Sequence, residues 1–271
     1  MSSEYKIIVL DLDGTLTNSK KELSARNRET LIKLQEQGVK VVLASGRPTY
    51  GIVPLAKELE LERFGGYVLS YNGGKITECA TGKEVYSNVL TMELIEPLYN
   101  ASKEAGVTII SYDNEYIITE NPTDVYVGKE AFLNKMKIKE VQNFVESITK
   151  PVVKCLAVGE PETLIALQEK LVGKFGDVMS IYRSEPFFLE LVPLNIDKAY
   201  SLSMLLSHLN ETKEHLIAFG DGFNDLSMIK FAGLGVAMSN AQDSVKELAD
   251  DIALSNDEDG VAIYLEGLFN N

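Results

Sequence analysis

Short apolar runs recur along this chain between segments whose apolar residues repeat every three or four positions. Ile7–Leu10 reads IIVL without a polar interruption, the pattern of a strand covered on both faces, and Val39–Ala44 (VKVVLA) and Tyr67–Ser70 (YVLS) resemble it. Between the first two, Ser24–Gln37 carries Leu31 and Leu34 on one helical face, with Ser24 as candidate N-cap and Gly38 as the stop. Thr49–Leu59 predicts a second helix. The order β-α-β-α-β predicts a parallel sheet with right-handed crossovers. The same grammar returns late, in strand-like Leu216–Phe219, Gly235–Met238 and Ile252–Leu254. Helical segments surround them at Ala199–Leu209, Asp225–Phe231, Ser244–Ala249 and Gly260–Phe269. The two flanks together predict one doubly wound α/β domain.

From about Val85 to Val192 the texture changes. Val107–Tyr112 and Tyr116–Thr119 flank Asp113-Asn114-Glu115, a turn signal. Val152–Val158, a helix over Pro161–Val172, and strands at Val178–Tyr182 and Phe187–Leu191 complete an α+β pattern. The expected organisation is a core formed by residues 1–84 and 193–271, interrupted by an inserted α+β domain at 85–192.

Charge narrows the function. Lys and Arg number 26 against 40 Asp and Glu, a formal charge of −14, and no basic run occurs. That balance argues against a nucleic-acid partner and against an anionic membrane surface. No stretch approaches the length of a membrane span, and Met1–Lys6 is too short and polar to read as a signal peptide. Cys79 and Cys155 show neither a disulfide framework nor metal-ligand spacing. A soluble cytoplasmic protein with reduced thiols is expected, as a monomer or weak dimer.

Candidate chemistry gathers where apolar runs end. Asp11-Leu12-Asp13-Gly14-Thr15 follows the first strand directly, and ligands of an open parallel sheet bind beyond the carboxyl ends of its strands. Residues 11 and 13 lean the same way along extended chain, and Gly14 permits a sharp turn. Alone, the string is equally an acidic strand-to-loop turn. Ser45-Gly46-Arg47 ends the second strand, although by itself it could merely start a helix. Lys198 follows Asn195-Ile196-Asp197 where the chain re-enters the core, and a single lysine is ordinarily a solvated charge. Gly220-Asp221-Gly222-Phe223-Asn224-Asp225 follows Leu216–Phe219 with a second carboxylate pair. Their succession points to one site.

On these residues the sequence resembles the haloacid dehalogenase-like superfamily of phosphatases, in its Cof-type branch with a large inserted cap, over essentially the whole chain. DLDGT matches the first motif, ASGR the second, NIDK the third and GDGFND the fourth. Asn72-Gly73-Gly74, Ser239-Asn240-Ala241 and the stretch Asn256–Ala262 also fit. The branch usually has Gly after the third-motif lysine; here Ala199, a good helix former, stands there, and Lys198 is expected to keep its position.

The resemblance implies Asp11 as a nucleophile that forms an aspartyl-phosphate. It implies Mg²⁺ held by Asp11, the backbone carbonyl of Asp13 and Asp221. Lys198 and Ser45 would stand beside the transferring group. Asp13 would protonate the leaving oxygen and then take a proton from water, and the acid step asks for a shift upward from about 3.9. Asp225 is a candidate outer partner of the metal. Asn224, Gly46, Arg47 and Asn72 are candidate substrate contacts, with ordinary turn or ion-pair roles also open to Arg47 and Asn72. The implied activity is Mg²⁺-dependent hydrolysis of phosphomonoesters of small metabolites, sugar phosphates or phosphorylated cofactors, with the insert setting specificity. A phosphomutase and a non-catalytic phosphometabolite-binding regulator are the alternatives. The stretch between Asp11 and Ser45 leaves no room for the small helical cap of the mutases. A binder has no reason to keep Asp11, Asp13, Lys198 and Asp221 together.

Overall fold

In the computed structural model, which describes residues 5–269, the chain opens with β1 (Ile7–Leu10), β2 (Lys40–Ala44) and β3 (Tyr67–Ser70) and turns back through β4 (Lys75–Glu78) and β5 (Glu84–Ser87). Then come β6 (Thr108–Asp113), β7 (Tyr116–Thr119), β8 (Lys137–Glu140), β9 (Cys155–Val158), β10 (Met179–Glu185) and β11 (Phe188–Pro193). β12 (Leu216–Gly220), β13 (Leu234–Met238) and β14 (Asp251–Ala253) complete the set. The first four and last two residues, on which the reading of the N-terminus and the outer limits of the core partly rest, lie outside the described residues.

Contacts divide the chain into two units, one running through Tyr86 and resuming at Asp197, the other Ser87–Ile196. The sequence boundaries at 84/85 and 192/193 differ from these for local reasons. β5 extends the first unit's sheet, and β11 runs to Pro193 within the second.

The first unit holds an eight-stranded sheet in the order β14-β13-β12-β1-β2-β3-β4-β5. β1 pairs in parallel with both β2 and β12, so the strand order reverses beside it. That reversal opens the crevice in which such sheets bind ligands. Alternation along β1 feeds two layers. Ile8 and Leu10 pack with Leu31, Leu34, Ile52, Leu55 and Leu265 on one face. Ile7 and Val9 pack with Leu202, Leu205, Leu206 and Met228 on the other. Truncating such a side chain, as in Leu10→Ala, costs roughly 2–5 kcal/mol. The helix Ala25–Glu36 starts where Ser24 accepts the Asn27 N–H, and Gly38 follows it at φ +94°. The sheet is not parallel throughout: β4 returns antiparallel to β3. The reversal is made by Asn72 and Gly73, both at positive φ.

The second unit is a six-stranded sheet, β10-β11-β9-β6-β7-β8, antiparallel except where β8 joins β7. Helices Met92–Glu104 and Pro161–Phe175 cover one face, burying Ile95, Leu98, Leu164, Leu167 and Leu171 against Ile109, Cys155, Leu189 and Leu191. The unit therefore has a core of its own. Among the described residues no helix is long and apolar enough to cross a membrane.

Candidate active site

Parallel neighbours end on the same edge of a sheet. β1 and β12 therefore deliver Asp11 and Asp221 side by side, with the Asp11 N–H still donating to Phe219 O at 3.0 Å. A third carboxylate arrives from Asp225, and one oxygen from each of Asp11, Asp221 and Asp225 lies within 4.8 Å of the others.

Lys198 supplies the buried cation. It opens the helix Lys198–Leu209, whose N-cap Asp197 accepts the Tyr200 N–H, so Ala199 is accommodated as an ordinary helical residue. Its ammonium donates to Asp11 Oδ1 (2.7 Å), Asp225 Oδ1 (2.6 Å) and Ala44 O (3.2 Å). Three donors thus meet three acceptors. Burial pushes this ammonium down, but the Asp11 and Asp225 carboxylates outweigh it and hold Lys198 protonated. Asp11 moves well above the usual carboxylate range, chiefly through burial and the nearby Asp225 charge. Burial also raises Asp221.

Asp225 is a positioning group. Its Oδ2 accepts the N–H groups of Asp221 (3.0 Å) and Gly222 (2.9 Å), and its Oδ1 is taken by Lys198. Thr15 Oγ1 donates to Asp221 Oδ1 at 2.8 Å. Gly14 is at φ +91°, and a Cβ there would meet the Asp221 carboxylate, with Cγ at 2.8 Å. Among the described residues, these bonds leave Oδ2 of Asp11 and Oδ2 of Asp221 unengaged. Three crowded carboxylates against one ammonium, with two oxygens open, suit a hard divalent cation that takes oxygen ligands.

Asp13 departs from expectation. Burial pushes its carboxyl up, but hydrogen bonds from Arg47 and Lys21 outweigh that and hold it below the usual value. Arg47 donates through Nε to Oδ2 (2.9 Å) and through Nη2 to Oδ1 (2.6 Å), and Lys21 Nζ lies 2.8 Å from Oδ1. The upward shift that an acid would need is reversed in this arrangement. Arg47, considered as a substrate contact, is here the partner of Asp13.

Ser45 is buried; its Oγ accepts the Arg47 N–H at 3.2 Å, and its carbonyl accepts the Asn72 N–H at 3.0 Å. Asn224 Nδ2 donates to Asn72 Oδ1 at 3.2 Å. A Cβ on Gly46 would stand 3.1 Å from the Asn72 amide, so the two loops run close. The structure thus gathers Asp11, Lys198, Asp221 and Asp225 in one cluster, ties Asp13 to Arg47, and joins Asn72 to Asn224. Sequence reasoning missed Thr15 and Lys21. Thr15 stands inside the DLDGT string and could have been flagged there; Lys21 carried no signal.

A family profile described as haloacid dehalogenase-like hydrolase matches residues 8–265. The chain is 32% identical over 263 residues to the 5-amino-6-(5-phospho-D-ribitylamino)uracil phosphatase YcsE of Bacillus subtilis, covering 96% of this chain and 94% of the relative. It is 28% identical over 281 residues to YitU, a phosphatase of the same name from that organism, covering 100% of both. A crystal structure of a haloacid dehalogenase-like hydrolase from Bacteroides thetaiotaomicron superposes with a TM-score of 0.94 at 58% identity, over 98% of this chain and 100% of the other.

Proposed function

The chain belongs to the haloacid dehalogenase-like hydrolase family and is a phosphatase, and from that premise we propose that it hydrolyses phosphomonoesters of small metabolites through an aspartyl-phosphate on Asp11. Support comes above all from the buried contact of Lys198 Nζ with Asp11 Oδ1 at 2.7 Å, beside the Asp221 and Asp225 carboxylates.

The Asp11 carboxylate attacks phosphorus as the ester P–O bond breaks, and water then cleaves the acyl phosphate and frees Asp11. Lys198 fixes the attacking carboxylate and lends charge to the transferring group. The Ser45 hydroxyl and the N–H groups following Asp11 receive phosphoryl oxygens. Asp11, Asp221 and the main-chain carbonyl of Asp13 are the residues that would hold Mg²⁺, which when bound supplies two positive charges against the attacking carboxylate and the phosphoryl group. Asp13 hands a proton to the leaving oxygen and takes one from the attacking water. Its bonds to Arg47 and Lys21 favour the carboxylate form, which suits the second of these steps. Gly46, Arg47, Asn72 and Asn224 are proposed to border the substrate.

The insert is proposed to select the leaving group. Its sequence position between Ser45 and Lys198, and its separate core, support this division of labour. Sugar phosphates and phosphorylated cofactors are the proposed substrates, a reading supported by the relatives YcsE and YitU, whose names give 5-amino-6-(5-phospho-D-ribitylamino)uracil as their substrate. The free thiols of Cys79 and Cys155 suit a cytoplasmic location.

The test is phosphate release from a panel of phosphorylated sugars and cofactors, with and without Mg²⁺. Release should require Mg²⁺ and vanish in Asp11→Asn. Metal-independent release, or a variant keeping more than about a tenth of kcat, overturns the proposal.

A further inference from the structure

The loop that follows Asp11 is held in place from the far end of the chain. Between Asp13 and Leu23 the backbone doubles back: Thr17 bridges to both, Asn18 N–H donates to Glu22 O at 3.0 Å, and Lys21 N–H donates to Asn18 O at 2.8 Å. Asn240 Nδ2 donates to Gly14 O at 2.8 Å, and Asn256 Nδ2 donates to Thr17 O at 2.9 Å. Asp257 accepts from Ser19 twice, from its N–H at 2.8 Å and its Oγ at 2.6 Å. Asn240 Oδ1 accepts the Asn256 N–H at 3.0 Å, which ties two of these three residues to each other. Asn240, Asn256 and Asp257 belong to the two C-terminal motifs that the chemistry at Asp11 leaves without a task.

The pinned loop carries Lys21 at φ +62°, a left-handed conformation disfavoured for residues with a Cβ. A glycine or asparagine would suit that turn better. The Lys21 ammonium reaches Asp13 Oδ1 at 2.8 Å. Together with Arg47 Nε and Nη2 it fills three of the roughly four acceptor positions of a carboxylate. The fourth position, on Oδ2, remains for a substrate oxygen or a water.

We propose that Lys21 is a positioning residue that fixes the plane of the Asp13 carboxylate, and that Asn240, Asn256 and Asp257 form the clamp that presents it. This rests on Asp13 as the residue that handles protons in phosphomonoester hydrolysis. An exposed lysine in an ordinary surface pair contributes little. Here the loop beneath it is held by five hydrogen bonds from and within the C-terminal motifs, which keep the Lys21 backbone within reach of Asp13.

The experiment uses the full chain with p-nitrophenyl phosphate and Mg²⁺, comparing Lys21→Gly, Lys21→Arg, Asp257→Asn and the double variant Lys21→Gly/Asp257→Asn. Lys21→Gly removes the cation and relieves the turn. It should lower kcat about tenfold, the scale of one charge-assisted hydrogen bond, with KM within about twofold and no loss of thermal stability. Lys21→Arg should recover at least about a third of kcat. Asp257→Asn should also slow turnover and raise amide exchange over residues 14–22. The double variant should be no slower than Lys21→Gly, because both changes act through one group. Wild-type kcat in Lys21→Gly, additive losses in the double variant, or unchanged exchange in Asp257→Asn overturns the role of Lys21 and its clamp alone. A wild-type protein that hydrolyses no phosphomonoester overturns the reading of Asp13, and this role with it.

Discussion

Lys198→Met keeps the length and apolar stem of the side chain and removes only the ammonium. Lys198 donates two hydrogen bonds to carboxylates and one to the Ala44 carbonyl. Bonds to charged groups contribute about 1.5–3 kcal/mol each and a neutral one about 1 kcal/mol. The substitution also strands Asp11 and Asp225, which are 6% and 1% exposed, and breaking a buried pair by deleting one partner costs about 3–5 kcal/mol. The first route gives about 4–7 kcal/mol and the second about 3–5 kcal/mol; they overlap at about 4–5 kcal/mol, or roughly 8–20 °C in Tm for a chain of this size. Because each unit has a core of its own, amide exchange over Ile7–Leu10 and Leu216–Gly220 should accompany the guanidinium melt and assign the loss to the first unit. Mg²⁺ should narrow the gap by returning positive charge to Asp11 and Asp221. Turnover should disappear. A loss below about 1 kcal/mol would refute the reasoning that this ammonium is the cluster's main counter-charge.

Gly14→Ala should weaken Mg²⁺ at least about tenfold, because the new Cβ displaces the Asp221 carboxylate, and should cost about 1–2 kcal/mol for a side chain at φ +91°. Mg²⁺-dependent thermal protection measures both effects. In the insert, burial pushes the Cys155 thiol up to about 12, so only about one thiol in ten thousand is ionised at pH 8 and iodoacetamide should label it solely after unfolding. Between about pH 8.5 and 12 the unfolded chain binds fewer protons than the folded one. Stability should therefore fall by up to about 1.4 kcal/mol per pH unit on account of this thiol; burial also pushes Cys79 up to about 12 and adds a fall of the same sign, so Cys155→Ala should lessen the slope by the Cys155 share and leave the rest.

Legibility followed burial. β1 and β3 are uninterrupted apolar runs buried on both faces, and their ends match the sequence reading residue for residue. β4, β5 and β8 read KITE, EVYS and KIKE; they lie at or near sheet edges, and their polar faces hid them. Helix Met92–Glu104 has its apolar stripe in Leu94, Ile95, Leu98 and Tyr99, but Pro97 within it masked the helical pattern, and helix Val125–Asn134 leaves Phe132 84% exposed and shows no clean stripe. At the site, Asp11 and Asp221 were legible because strand ends converge on one edge, and Lys198 because the NIDK string resembles the family's third motif. The Arg47 and Lys21 bonds to Asp13 were not, since they depend on loop backbone such as the positive φ of Lys21.

The central claim is a covalent phosphoryl group on Asp11. Borohydride reduces an acyl phosphate to the alcohol, so turnover mixtures quenched during the steady state, reduced, digested and sequenced by mass spectrometry report the site directly. Homoserine should replace aspartate at position 11, only when substrate and Mg²⁺ are both present, and position 13 should stay unmodified. Homoserine at position 13, or at neither position while phosphate is being released, would contradict the account.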